Sequence, residues 1–247
     1  MSVELIAYAM AVYLIAGTVK GVIGFGMPIV SLAMLAAIIG LTESIVLMLV
    51  PALVTNIWQG ITGGSLVVLV RRLWLLLALA CVSIWLSTAI LVSVDGGGLT
   101  AVLGSLLIVY AAFSLVVRQI PAPGRHEIWL SPLIGVVAGV AIGLTGVFVM
   151  PGTVYLQSLR LSKNELVQSL GISFVVTTLA LGLSLSGRGA LPVDLVMISG
   201  AAVVPTMLGM ILGKKYRDQL PEDLFRRYFF IALLIVGCWL SLKPLVL

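Results

Sequence analysis

The sequence predicts an all-α polytopic membrane protein built of two inverted repeats. Each repeat holds a Gly/Pro-broken helix pair, read as a re-entrant hairpin or an interrupted span, and three membrane-spanning helices. Three observations predict this class. Of 247 residues, 61% are hydrophobic and only 9% charged, against about 25% charged in a soluble domain. A glycine- and proline-bearing interruption of the apolar sequence occurs twice, at a fixed spacing. Lys and Arg collect in short loops, as they do on the cytoplasmic side of a membrane.

The apolar runs have helical length and lack the short alternating strands of an outer-membrane barrel. Hydropathy places ten segments near 3–19, 28–40, 44–62, 71–93, 99–117, 130–144, 148–159, 166–186, 193–213 and 225–246. The first follows Met1-Ser2-Val3-Glu4-Leu5, which has no basic region and no small-residue cleavage site. That segment is therefore expected to be retained rather than removed as a signal peptide. It ends in the first interruption, Gly17-Thr18-Val19-Lys20-Gly21-Val22-Ile23-Gly24-Phe25-Gly26-Met27-Pro28. The link 118–129 is the longest polar, proline-bearing stretch, and it divides a first membrane repeat, 1–117, from a second, 130–247.

The second interruption runs from Gly139 through Gly143 and Gly146 to Val147-Phe148-Val149-Met150-Pro151. Gly17, Gly21 and Gly24 fall on Gly139, Gly143 and Gly146 at a constant offset of 122 residues, and Met-Pro follows in both after one inserted residue. Glu43 aligns with Glu165, Asn56 with Thr177 or Thr178, and Thr62-Gly63 with Ser186-Gly187. The copies diverge where Pro205-x3-Gly209-x3-Gly213 stands opposite Ser83, Ser87 and Leu91.

Segments 28–40 and 148–159 are too short for a span of about 20 residues. Each broken pair is therefore either a hairpin or one interrupted crossing. With hairpins, Arg71, Arg72, Arg118, Arg125, Arg160, Lys163, Lys214, Lys215, Arg217, Arg226 and Arg227 share one side, leaving Arg188 and Lys243 on the other. A single crossing would balance the two sides. The positive-inside bias favours the hairpins, puts both termini on the non-cytoplasmic side and makes the repeats inverted. Inverted repeats with broken helices mark secondary transporters that work by alternating access.

The breaks are the candidate site. Clustered glycines permit both a turn and close backbone approach to a ligand, and Pro28 and Pro151 suit the first turn of the helix that follows. A helix start offers free N–H groups and the positive end of a dipole, hence an anion site. Gly21, Gly24, Phe25, Gly26 and Pro28 form one half-site, and Gly143, Thr145, Gly146 and Pro151 the other. Glycines that serve only close helix packing would look the same. Lys20, the only basic residue in the first break, is either an anion partner or a lysine snorkelling to a headgroup. Asn56 and Gln59 on the third segment, and Ser169, Ser173 and Thr177 at four-residue intervals on its counterpart, make polar faces for ligand contact or interhelical hydrogen bonds. Glu43 and Glu165 read as helix-start caps.

The net charge of +5 reflects cytoplasmic loops rather than a nucleic-acid partner. Cys81 and Cys238 lie apart in apolar segments and read as packing residues. His126 is the only histidine and sits in the link, so no HExxH, Ser–His pair or metal cluster is visible, nor a Walker lysine loop. No enzymatic activity, metal or cofactor is expected. Arg188 reads as a helix-end cap or an attractor of anions to an outer vestibule.

These residues resemble the TauE/SafE family of membrane permeases, described as sulfite and organosulfonate exporters. The resemblance rests on Gly-x2-Gly-Phe-Gly at 21–26, its second copy at 143–151, and Gly209-x3-Gly213-Lys214-Lys215 ahead of Leu224-Phe225-Arg226-Arg227. It implies export of sulfite or a sulfonate, such as sulfoacetate or a taurine-derived sulfonate, across the bacterial inner membrane, with H+ or Na+ as coupling ion. The site is expected where the two broken pairs meet. The lipid bilayer and a small anion are the expected partners, with homo-oligomer formation left open. The competing readings are a transporter of another carboxylate or small anion, and a non-transporting membrane subunit or scaffold.

Overall fold

Among the described residues eleven α-helices follow in chain order: α1 (Val3–Ile23), α2 (Met27–Ile39), α3 (Leu41–Ile61), α4 (Leu66–Ser93), α5 (Gly96–Val116), α6 (Glu127–Thr145), α7 (Gly152–Ser158), α8 (Lys163–Gly187), α9 (Val193–Ala201), α10 (Val203–Arg217) and α11 (Glu222–Val246). The computed structural model describes residues 2–94, 96–117, 120–148, 150–217 and 222–246, and no strand occurs among them. Met1, Arg118, Gln119 and Val149 lie outside the described residues, as do the side chains of Arg217, Leu224, Phe225, Arg226 and Lys243.

Seven of the described helical segments are long and apolar enough to cross a membrane: α1, α3, α4, α5, α6, α8 and the α9–α10 pair. All five tryptophans are at least half exposed, alongside many exposed Leu, Ile and Val. Such a surface would drive a soluble protein to associate, but it suits lipid, and amphipathic Trp favours the membrane–water interface.

Local chemistry explains most helix ends. Ser162 and Glu165 form a reciprocal capping box at α8, at 3.3 and 3.0 Å, which satisfies two otherwise orphaned N–H groups. Glu43 folds its carboxylate over Gly40, whose φ is +92°, in the first turn of α3. The segment expected at 193–213 is interrupted at Ala202. Pro205 lacks an N–H and its ring opposes the carbonyl four residues back, at Ala201, which ends the preceding helix there. The segment expected at 148–159 shrinks to seven residues in α7.

The helices form two compact units, and each draws on both halves of the sequence. The first comprises Met1–Pro51, Asp95–Val116 and Leu191–Leu247; the second comprises Ala52–Val94 and Val117–Ala190. Pro51, inside α3, is where the chain leaves the first unit.

In the first unit α1 packs on α10. Gly17 meets the Thr206 carbonyl, Gly21 meets Met210 and Gly213, and Gly209 in turn meets Leu14 and Thr18. Partner numbers rise together, so these helices run parallel, with backbones brought close by missing Cβ atoms. Helix α5 packs on α11 in the opposite sense, Gly104 against Gly237 and Ser241, and Gly237 against Ile108. Ser199 ties α9 to α3, donating to the Leu47 carbonyl at 2.7 Å and accepting from the Val50 N–H at 3.2 Å.

In the second unit α4 packs on α6, again in parallel. Gly135 meets Leu76, Gly139 meets Ala80 and Ser83, and Gly143 meets Ile84 and Ser87. The α4–α6 start is clamped by a bidentate Arg72–Glu127 pair at 2.6 and 2.8 Å. At the far end Arg188 donates to the Trp85 carbonyl at 2.5 Å and lies over the Trp85 ring, joining α8 to α4.

The broken pairs are hairpins. Tyr8 near the start of α1 donates to the Met34 carbonyl in α2 at 3.3 Å. A straight continuation would hold those residues roughly 40 Å apart at 1.5 Å per residue. Tyr13 likewise faces Ser31 across the pair. In the second unit α7 folds back on α6, with Tyr155 facing Ser131. Both returning helices, of 13 and 7 residues, fall short of the bilayer's hydrocarbon core of about 30 Å.

Candidate functional site

Each break begins with the same device. Gly24 ends α1 at φ +84°, its N–H donating to the Lys20 carbonyl at 2.8 Å; Gly146 ends α6 at φ +77°, its N–H donating to the Ile142 carbonyl at 2.7 Å. A left-handed residue in this position closes the last helical turn, and only glycine adopts it without strain. The outer glycines of the duplicated pattern have a different task. Gly17 and Gly139, with Gly21 and Gly143, are committed to the helix contacts just described. Of the glycines in the pattern, Gly24, Gly26 and Gly146 are therefore the ones that shape the breaks.

Beyond the caps the copies part. In the first break Gly26 is also left-handed, at φ +97°, and stands as N-cap of α2 with no side-chain cap and with Pro28 in the first turn. The α2 start therefore presents N–H groups that no side chain of its own satisfies. A Cβ placed on Gly24 would meet no atom within 4 Å, whereas one on Gly26 would touch Phe229 of α11 at 3.4 Å. Ile23, Gly24 and Phe25 are partly exposed. Lys20 lies one turn before Gly24 and is only 3% exposed. A snorkelling lysine would expose its amine, so burial rules out that reading of Lys20.

In the second break Thr145, Gly146, Val147 and Phe148 are all buried. The Thr145 hydroxyl is occupied by the Ala141 carbonyl at 2.6 Å. Pro151 is the N-cap of α7 rather than part of its first turn, and it follows a cis peptide bond from Met150. Pro151, Val154, Tyr155 and Ser158 of this arm, with link residues Ile120–Pro123 and Leu130 of α6, line an open cavity of about 350 Å³.

The polar faces of α3 and α8 separate into locks and, among the described residues, two open hydroxyls, those of Ser173 and Ser184. Gln59 donates to the Val167 carbonyl at 2.9 Å. Gln168, which the sequence reading did not single out, is fully buried; it donates to the Gly60 carbonyl and accepts from the Ser65 N–H, both at 3.0 Å. Gly60 and Gly171 touch beside this pair of amides. Ser169 and Thr177 donate within α8, to the Leu166 and Ser173 carbonyls at 2.8 and 2.7 Å. Such bonds let hydroxyls sit inside an apolar helix. The Ser173 hydroxyl is buried without a hydrogen-bond partner among the described residues, and Asn56 is 1% exposed on α3. Among the described residues no three His, Cys, Asp or Glu side chains are grouped to hold a metal ion.

Comparison with curated proteins and with solved structures returned no match. The family model described as sulfite exporter TauE/SafE does match, over residues 9–240. A match over nearly the whole chain, on a fold whose helices break at Gly24 and Gly146, makes this chain a member of the TauE/SafE family of membrane transporters.

Proposed function

We propose that the protein is a secondary transporter that exports a small sulfur oxyanion or organosulfonate, such as sulfite, sulfoacetate or a taurine-derived sulfonate, across the cytoplasmic membrane. The observation that carries the reading is the first break. An uncapped helix start, two left-handed glycines and open space at Gly24 stand one turn from the buried Lys20. Free N–H groups at the positive end of a helix dipole hold an oxyanion, and a nearby ammonium adds a full charge. In the second unit Asn56 and Ser173 belong to a polar face of its own and are its candidate ligand contacts; Gln59 holds α3 to α8, and Ser169 and Thr177 bond within α8.

Alternating access by inverted repeats is supported by the two hairpins. They give each half five segments, so the second copy enters the membrane in the opposite direction to the first. The parallel α1–α10 and α4–α6 pairs fit that order. Both termini then lie outside the cytoplasm, which cysteine labelling from either side of the membrane checks.

Flux of labelled sulfite, sulfoacetate and taurine in proteoliposomes, under an imposed H+ or Na+ gradient, tests the function. Flux that depends on one gradient names the coupling ion. No flux of any sulfur anion by folded protein would refute the substrate class and favour the scaffold reading.

A further inference from the structure

The open cavity beside the second break lies wholly within the second unit. Its walls include Ile120 and Pro121 of the link, Leu130 and Ile134 of α6, and Val154 of α7. The Ser158 hydroxyl on the same wall is spent on the Tyr155 carbonyl, at 2.7 Å. No described Lys, Arg, Asp or Glu lines it. A volume of about 350 Å³ falls in the range of sites that take an organic ligand. The residues around this apolar interior are basic. His126 lines the cavity and, with Arg125 before it, is exposed on the link; Arg160 and Lys163, which follow α7, are exposed as well. The acidic residues of the same stretch are engaged, Glu127 by Arg72 at 2.6 and 2.8 Å and Glu165 by the Ser162 N–H at 3.0 Å. No described ion pair engages Arg125, Arg160 or Lys163. Ile128 and Trp129, 76% and 79% exposed at the start of α6, suit the boundary where lipid tails meet headgroups.

We infer that this cavity is a binding site for an anionic phospholipid, with an acyl chain against Ile134 and Val154 and the phosphate among Arg125, His126 and Arg160. An apolar interior offers a small oxyanion no donor but gains from covering hydrocarbon. A basic pocket at a membrane surface selects an anionic headgroup. An open cavity also suits a ligand whose head stays in water while its chain is buried. The chain would touch the link, α6 and α7 together, so the lipid pins the second hairpin to the loop that divides the repeats. This goes beyond transport of a sulfur anion and does not depend on it.

The test titrates dioctanoyl-phosphatidylglycerol, dioctanoyl-phosphatidylcholine and glycerol 3-phosphate into the purified full chain in a neutral detergent, with binding read by calorimetry. Wild type should bind the phosphatidylglycerol at least tenfold more tightly than the phosphatidylcholine, and glycerol 3-phosphate far more weakly than either. Each cation near an anionic lipid surface is worth roughly fivefold, so Arg125→Gln combined with Arg160→Gln should cut the preference about tenfold or more. Lys214→Gln combined with Lys215→Gln, on α10 of the other unit, should leave it unchanged, which separates a built site from overall charge. Val154→Trp, which fills the cavity, should weaken both lipids; should it fail to fold, the arginine variant decides alone. Equal affinity for the two lipids in wild type, or a preference that survives the loss of both arginines, would overturn the site. Glycerol 3-phosphate binding as tightly as the phosphatidylglycerol would overturn it too, since the acyl chain would then contribute nothing. None of these readouts involves sulfite, so this inference and the proposed function stand or fall separately.

Discussion

Replacing Gly24 separates the backbone requirement of the first break from its use by a ligand. At φ +84° an alanine costs about 1–2 kcal/mol of left-handed strain, whereas asparagine tolerates that region far better. Sterics add nothing in either case, because no atom lies within 4 Å of a Cβ at this position. Gly24→Asn should therefore melt close to wild type and Gly24→Ala a few degrees lower, since 1 kcal/mol shifts a domain of this size by roughly 2–4 °C. The carboxamide of Gly24→Asn, however, occupies the open space assigned to the anion. Sulfite flux in proteoliposomes should drop at least tenfold while the melting temperature, followed by tryptophan fluorescence in detergent, holds. Wild-type flux in a stable Gly24→Asn protein would refute the claim that this space is used; an unstable Gly24→Asn protein would refute the strain argument.

Three further predictions follow from other contacts. Lys20→Met should weaken sulfite binding about tenfold, or roughly 1.4 kcal/mol, with the protein still folded; calorimetry showing equal affinity would remove Lys20 from the site. Gln168→Leu breaks one bond to α3 and one to the turn before α4, stranding the Ser65 N–H, a loss of about 1–3 kcal/mol that should appear as a lower melting temperature. Gly209→Leu drives a side chain into the Leu14 carbonyl and Thr18, so it should abolish folded protein by gel filtration, whereas Gly200→Ala, which meets no neighbour within 4 Å, should not.

The breaks were legible because a left-handed C-cap and the proline after it have residue-type signatures, and because a duplication displays each signature twice. The seven long apolar segments were legible for a similar reason, since bilayer thickness sets a length that composition reveals, whereas the segment expected at 148–159 keeps only seven helical residues and the one at 193–213 breaks at Ala202. Function within the glycine pattern was not legible. Gly21 and Gly24 are the same residue type three positions apart, yet one lies against Met210 and Gly213 and the other faces open space. Only the backbone angle and the neighbouring helix distinguish them. Gln168 escaped notice because it stands singly near the start of an apolar segment, off the four-residue stripe of Ser169, Ser173 and Thr177; its burial depends on Gly60 and Ser65, more than 100 residues earlier.

The exchange of helices between the halves has a consequence for synthesis. Helices α4 and α6 carry partners about 55 residues apart, such as Arg72 and Glu127, and can pair soon after leaving the ribosome. Helix α1 enters the membrane first, yet the α10 residues that cover Gly17 and Gly21 follow roughly 190 residues later. At 5–20 residues per second that is a wait of about 10–40 s. Through that interval the first helix must rest in lipid with its small-residue face uncovered. The unit that carries the first break is thus the last to be assembled, and a chain truncated before α10 would leave it unformed while the α4–α6 pair is already in place.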